Sequence, residues 1–242
     1  MKPLILNSGL GHRMGDITKT HPKCMTQISD EDTILSRQLK LLSFNGIKDI
    51  VMTTGYFDQI LIDYCCSLKL PLNYTFVNNP IYDRTNYIYS IYCARDVLKD
   101  DDILLMHGDL VFDEEVLRMS LNAPYSTMMI SSSLPLPEKD FKAIVKDDRI
   151  SKVGIEYFGD AYEAQALYKL NKNDWLIWLD KIIEFCEEGN TDVYAEKALN
   201  EITDKIHIHP LDVRDLLCAE IDNVEDLGKV KKELNKEQTY IV

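Results

Sequence analysis

Two glycines, an arginine and a lysine near the start of the chain could together grip phosphate. Residues 4–6 are apolar and read as a short strand, which runs into Asn7-Ser8-Gly9-Leu10-Gly11-His12-Arg13, with Pro22-Lys23 not far beyond. Glycine lets main-chain N–H groups come close to an oxyanion, because no Cβ stands in the way. Arg13 and Lys23 add the positive charge that amides lack. Spacing separates this loop from two commoner phosphate grips. A dinucleotide fingerprint needs a third glycine three residues after the second; Met14 stands there, and Gly15 comes one residue too late. A P-loop needs Gly-Lys-Ser/Thr opening a helix, and the chain contains no such tripeptide.

Carboxylates come next, because a chain of net charge −13 needs local positive charge to hold a polyphosphate, and a divalent cation commonly supplies it. Asp109 follows Gly108 directly after the apolar run 103–107. A carboxylate at the carboxyl end of a buried strand points into the ligand crevice, and Gly108 lets a ribose lie close. A solvated turn aspartate is the plainer reading. Glu220 and Asp222 lie two apart, so an extended segment would turn both to one side, within reach of one cation. Mg²⁺ takes oxygen ligands and keeps several waters. The competing role is capping, by Asp222 or Asn223, of the helix that begins at 224. Asp100-Asp101-Asp102 contains Asp-x-Asp but precedes its strand, at the wrong end.

The elements that must position these groups alternate through the first half. Strands are expected at 49–54, 73–77 and 103–107, and helices at 34–44, 57–66 and 86–98. This rhythm predicts an α/β fold, a parallel sheet with helices on both faces. Both the Gly9 loop and the end of the 103–107 strand then fall at the ligand edge. After 119 the pattern changes to strands at 127–131, 143–145, 152–155 and 164–170, with a hairpin turn at 147–149. Helices at 173–187 and 193–202, a strand at 205–209 and a closing helix from 224 to about 234 complete the chain. We expect one domain over 1–242: a nucleotide-binding half to about 120, an acceptor lobe over 121–217, and a metal-binding segment with a closing helix over 218–242.

Composition bounds the class. Hydrophobic residues make up 45% of the 242, enough to fill a full core. No apolar run approaches the roughly 20 residues of a membrane span, and the N-terminus is too short in apolar residues for a signal peptide. The six cysteines show no metal-binding spacing and read as reduced thiols of a cytoplasmic protein. The acidic balance, with no basic stripe, argues against nucleic acid.

The N-terminal loop with Thr18 and Pro22-Lys23-Cys24-Met25 resembles the signature loop of the nucleotidyltransferases. Asn86-Tyr87-Ile88-Tyr89-Ser90-Ile91-Tyr92 and the ending Glu220-Ile221-Asp222-Asn223-Val224-Glu225-Asp226 are similar to elements of bacterial phosphocholine cytidylyltransferases. Relatives of that family act on 2-aminoethylphosphonate or belong to capsule phosphoramidate pathways. The resemblance implies a Rossmann-like three-layer α/β/α sheet of the glycosyltransferase-A kind with a small acceptor lobe. It implies CTP, Mg²⁺ and a small phosphorylated acceptor, in a monomer or homodimer. Gly9, Gly11 and neighbouring amides would cradle the β- and γ-phosphates, Arg13 the leaving group and Lys23 the α-phosphate. Asp109, Glu220 and Asp222 would hold the metal. Leu6, Asn7, Ser8 and Gly108 would line the nucleotide. A sugar 1-phosphate nucleotidyltransferase, a nucleotide-sugar glycosyltransferase and a non-catalytic nucleotide-binding regulator are the alternatives.

Asn86 and Ser90 lie one helical turn apart and share a face, from which they could bond a pyrimidine edge or ribose; capping by Asn86 competes with that reading. His107 reads as a satisfied core histidine. Aromatic residues mixed with carboxylates between 156 and 196 suit a cationic acceptor, with Tyr194 and Glu196 as candidates. Lys142 and Lys152 are the candidates for gripping its phosphate.

Overall fold

The computed structural model describes residues 1–239. Its centre is a sheet of nine strands. Strands β1 (Lys2–Leu6), β2 (Asp49–Thr54), β3 (Asn73–Asn78) and β4 (Ile103–His107) are parallel, in the order β3-β2-β1-β4. Helices α1 (Ile34–Phe44), α2 (Asp58–Ser67) and α3 (Tyr87–Ala94) connect them. Period-two alternation divides each strand between two cores. Leu4, Leu6, Ile103 and Leu105 pack with α3, while Ile5, Leu104 and Met106 pack with α1 and α2.

The sheet does not stop where the sequence pattern changes. A short strand β5 (Leu110–Phe112) and helix α4 (Glu114–Asn122) lead to β6 (Thr127–Ser131). Strand β9 (Ala161–Leu170) then inserts antiparallel between β4 and β6. Beyond it the order is β9-β6-β10, with β10 (His209–Asp212) parallel to β6. Only the hairpin of β7 (Lys142–Lys146) and β8 (Arg149–Gly154) hangs from β9. Asp147 and Asp148 form its turn with φ of 50° and 57°, as expected of a turn that needs left-handed residues. The second half therefore builds much of the same sheet as the first. Helices α5 (Lys172–Glu187) and α6 (Ala195–Leu199) cover the α3 face, where Trp175 and Trp178 are fully buried.

Three elements differ from expectation. The strand expected at 205–209 forms at His209–Asp212, because Ile206 and Ile208 reach the core from a turn. The helix expected over 193–202 is limited to α6, and that over 86–98 ends at Ala94 before a single tighter turn.

The C-terminal segment closes on the cleft. Strand β11 (Cys218–Glu220) pairs antiparallel with β5, so Glu220 lies opposite Leu110 and the Ile221 amide donates to Asp109 O at 3.1 Å. Helix α7 (Val224–Thr239) follows. Its Leu227, Val230 and Leu234 join Ile221, Val111 and Met14 in a third core. Among the described residues no helix is long and apolar enough to cross a membrane.

Candidate active site

The loop after β1 is held by contacts that leave no room for side chains. A Cβ on Gly108 would lie 1.7 Å from Asn7 Oδ1, and one on Gly55 would lie 2.4 Å from the Ser8 carbonyl oxygen. Gly11 takes φ +65°, and its Cβ would meet that of Lys23 at 3.0 Å. Thr18 Oγ1 donates to Gly11 O at 2.9 Å. Gly9 differs: a Cβ there would meet no protein atom within 4 Å. It faces an open cleft of two adjoining cavities, about 270 and 320 Å³, which share Leu6, Gly9 and Asp109.

The larger cavity is a cluster of alternating charges. Lys23 donates to Asp109 and to Asp222 Oδ1, the latter at 2.9 Å. Arg13 Nη1 meets Asp222 Oδ2 at 2.7 Å. Beside this cluster, at the edge of the smaller cavity, His107 Nδ1 lies 2.7 Å from Glu220 Oε1. Burial opposes the Lys23 charge, but Asp109 and Asp222 hold its pKa above the ordinary lysine value. Burial likewise opposes ionisation of Asp109, and Lys23 outweighs it, so its carboxyl titrates below the usual range. Burial raises Glu220, with Asp109 adding to the rise and His107 opposing it. For His107 burial works against the cation, yet Glu220 pushes it up to about 9.

Helix α1 fixes the turn that carries Asp109. Gln38, buried to 1% exposure, donates from Nε2 to His107 O at 2.9 Å and to Leu110 O at 2.7 Å. Ligand atoms of His107, Asp109 and Glu220 all lie within 4.8 Å of one another, the one such group of three among the described residues. Asp222 stands outside it, its oxygens taken by Arg13 and Lys23. Four buried polar atoms around the cleft lack any partner: Asn7 Nδ2, Ser8 Oγ, His107 Nε2 and Asp109 Oδ1. Unsatisfied buried groups are costly, and their concentration here marks a place built for a polar ligand.

The smaller cavity is organised by a residue to which the sequence reading gave no separate role. Asn79, 1% exposed, donates to Thr85 Oγ1 at 3.0 Å and Ser90 Oγ at 3.1 Å, and accepts from the Ile81 amide. Ser90 thus lines the cavity with Asn86, although Asn86 Oδ1 also accepts from the Tyr87 amide at the start of α3. Tyr82, Tyr87 and His107 line it as well. His107 is only partly the core residue expected: one ring nitrogen is paired, and the other is left over. Its position directly before Gly108-Asp109 was the available signal.

The expected acceptor residues fare unevenly. Lys142 is fully buried and donates to the Asp140 and Ile155 carbonyls at 3.0 and 2.7 Å, with its ammonium 4.2 Å from the Phe158 ring centre. It is spent on folding its own loop. Lys152 lies on the hairpin and donates to Asn200 O at 2.8 Å. Neither lines the cleft. Glu196 is 1% exposed and satisfied by the hydroxyls of Tyr87 and Tyr168, so it supports the aromatic wall from behind. Tyr194 remains accessible at 38%, its ring against Tyr87 and Phe141. Cys24, beside Lys23, is buried, and burial pushes its thiol far up.

Residues 3–133 match the family model described as MobA-like NTP transferase domain. CTP:phosphoglutamine cytidylyltransferase of Campylobacter jejuni is 26% identical over 186 residues, covering 75% of this chain and 66% of its own length, just under two thirds. Choline-phosphate cytidylyltransferase of Streptococcus pneumoniae is 23% identical over 244 residues, covering 98% of this chain and 100% of its own. The solved structure of the inositol-1-phosphate CTP transferase from T. maritima shares the fold, with a TM-score of 0.79 at 21% identity over 97% of this chain and 95% of its own. With more than half of its length covered by that model, and with the glycine loop and the strand-end carboxylate Asp109 inside the matched region, the chain belongs to the MobA-like NTP transferase family.

Proposed function

We propose that the chain transfers CMP from CTP to a phosphate or phosphonate oxygen of a small acceptor and releases pyrophosphate. The observation that carries this reading is the convergence of Arg13, Lys23, Asp109, Glu220 and Asp222 beside the open Gly9 loop. An acceptor oxygen would attack the α-phosphorus as the bond to the pyrophosphate oxygen breaks. The nucleophile is already an anion, so no general base is required. The barrier lies in repulsion between anions and in charge growing on the leaving group, and alignment with preorganised charge lowers both.

Gly9, Gly11 and nearby amides would hold the β- and γ-phosphates. Arg13 would meet the leaving pyrophosphate, and Lys23 would turn from its two carboxylates to the α-phosphate. Asn86, Ser90 and the Asn79-anchored loop would hold the nucleoside. Asp109 and Glu220 would hold Mg²⁺, for which their converging carboxylates and the unpartnered Asp109 Oδ1 are suited, while Asp222 would stay with Arg13. Bound there, the ion would shield charge on the attacking oxygen and the α-phosphate.

The acceptor in this reading bears an amino or quaternary ammonium group, because the exposed Tyr194 ring packs beside Phe141 and beside Tyr87, which lines the smaller cavity. Phosphocholine, 2-aminoethylphosphonate and a phosphorylated amino acid are the acceptors to test, and decoration of a bacterial surface glycan from the cytoplasmic side is the setting they suggest. Pyrophosphate release should be measured with each nucleoside triphosphate against these acceptors and glucose 1-phosphate. CTP with an amino-bearing acceptor should give the highest turnover. A tenfold preference for the sugar phosphate, about 1.4 kcal/mol, would overturn the acceptor assignment, and no release with any pair would overturn the reaction.

A further inference from the structure

Carboxylates alone do not account for the group at the end of β4. The set whose ligand atoms lie within 4.8 Å of one another is His107, Asp109 and Glu220, with an imidazole in the place that Asp222 was expected to fill. Two of the three residues carry a buried atom with no hydrogen-bond partner, His107 Nε2 and Asp109 Oδ1. The backbone around them is pinned. Gln38 holds the carbonyls of His107 and Leu110, the Ile221 amide donates to Asp109 O, and Glu220 is in register with Leu110 across the β5–β11 pair. The three side chains are therefore presented by a constrained frame rather than by a loose loop.

A carboxylate-only set of this kind suits a hard cation such as Mg²⁺. One imidazole changes the preference, because nitrogen binds first-row transition-metal dications better than it binds Mg²⁺. Mg²⁺ gains little from a nitrogen donor and gives up its waters reluctantly. We propose that His107, Asp109 and Glu220 form a mixed imidazole–carboxylate cation site that holds a first-row divalent transition metal, with Mn²⁺ as the probe, more tightly than Mg²⁺. The inference rests on the reading of the cleft as a nucleotidyl-transfer site, and it names the class of ion that serves it. Asp222 in this arrangement stays with Arg13 on the phosphate side.

The test is pulsed electron paramagnetic resonance of Mn²⁺ on the whole chain, with and without CTP. Wild-type protein should show coupling to an imidazole nitrogen, which changes on ¹⁵N labelling of histidine, and coupling to phosphorus once CTP is added. His107→Gln should lose the nitrogen coupling and bind Mn²⁺ about tenfold or more weakly, with Mg²⁺ affinity within about threefold of wild type. Phosphorus coupling without nitrogen coupling in the wild type would overturn the proposal. So would nitrogen coupling that survives in His107→Gln, which would place the ion on another histidine. The wild-type spectrum decides the matter if His107→Gln does not fold. Failure here with CMP transfer intact in Mg²⁺ would leave the proposed reaction standing, whereas failure of transfer with every ion would remove that reading instead.

Discussion

Lys23 sits between two carboxylates and beside a guanidinium, so removing its ammonium has two effects. The first is on the reaction. Lys23→Ala should lower kcat by about 10²-fold or more, the scale of one lost preorganised charge-stabilising group. The second is on the resting protein, because Asp109, 17% exposed at its side chain, is left without its cation. That should cost roughly 1–3 kcal/mol of stability. Lys23→Arg separates the two: it restores charge and much of the stability, but a planar fork does not reproduce a point charge, so kcat should stay low. Asp109→Asn, by contrast, should raise the divalent-cation concentration needed for half-maximal rate. Steady-state kinetics and thermal unfolding of the three variants check these expectations, and near-wild-type turnover in Lys23→Ala and Asp109→Asn would refute the roles given to both residues.

At the scale of the element, α1 is more than a cover for the sheet. Its N-terminus is set by a reciprocal cap, with Thr33 Oγ1 accepting from the Ser36 amide and Ser36 Oγ accepting from the Thr33 amide. That places Gln38 a turn later under the Gly108-Asp109 turn. Gln38→Met keeps the volume but leaves two carbonyls buried without donors, a loss of about 2–6 kcal/mol at one to three per group. It should also lower kcat more than it raises KM for the nucleotide, since the turn bearing Asp109 loosens while the outer loop stays; chemical denaturation and kinetics report the two effects. Much of this level was legible in the sequence. The strands and helices of the first half follow from local periodicity, and the glycine loop from its spacing. The role of Gln38 was not legible, because a glutamine on the buried face of a helix says nothing about which carbonyls it meets. The insertion of β9 between β4 and β6 was hidden for a similar reason: strand order depends on pairings far apart in sequence, which local alternation does not encode. Lys142 misled because a lysine in a strand reads as a grip for anions, when its stem and ammonium instead gather the carbonyls of its own loop. His107 was half visible, its place before Gly-Asp being plain and its partner 113 residues away being not.

Across the whole molecule, one buried carboxyl sets a pH dependence that no surface pair would. Glu163 on β9 is 5% exposed, and one of its oxygens has no partner. Burial raises its pKa from the ordinary 4.5 to about 7; a hydrogen bond from Gln165 opposes the shift, and the charges of Asp140 and Glu220 add to it. The native state therefore holds this proton more tightly than the unfolded chain does. The stability so contributed is full below pH 4.5 and is lost as pH rises through about 7, a total of about 3 kcal/mol. Glu163→Gln should flatten the profile over that window and raise the unfolding temperature at pH 8, and an unchanged slope in pH-dependent denaturation would refute the assignment. Three cores meet around the cleft floor, and the floor itself is closed to change: Gly108 abuts Asn7, Gly55 abuts Ser8, and Gly11 abuts Lys23. The aromatic surround is not, with Tyr82 lining the smaller cavity and Tyr56 and Tyr194 exposed beside the rings of Tyr82 and Tyr87. In evolutionary terms the two regions should tolerate substitution differently. If that surround holds the acceptor, as proposed, single substitutions of its aromatics would exchange one acceptor for another, whereas a side chain at 108 would meet both Asn7 and the Leu6 carbonyl oxygen. On the proposed reading, acceptor diversity would be the expected product of drift in this fold, and diversity in the phosphate grip would not.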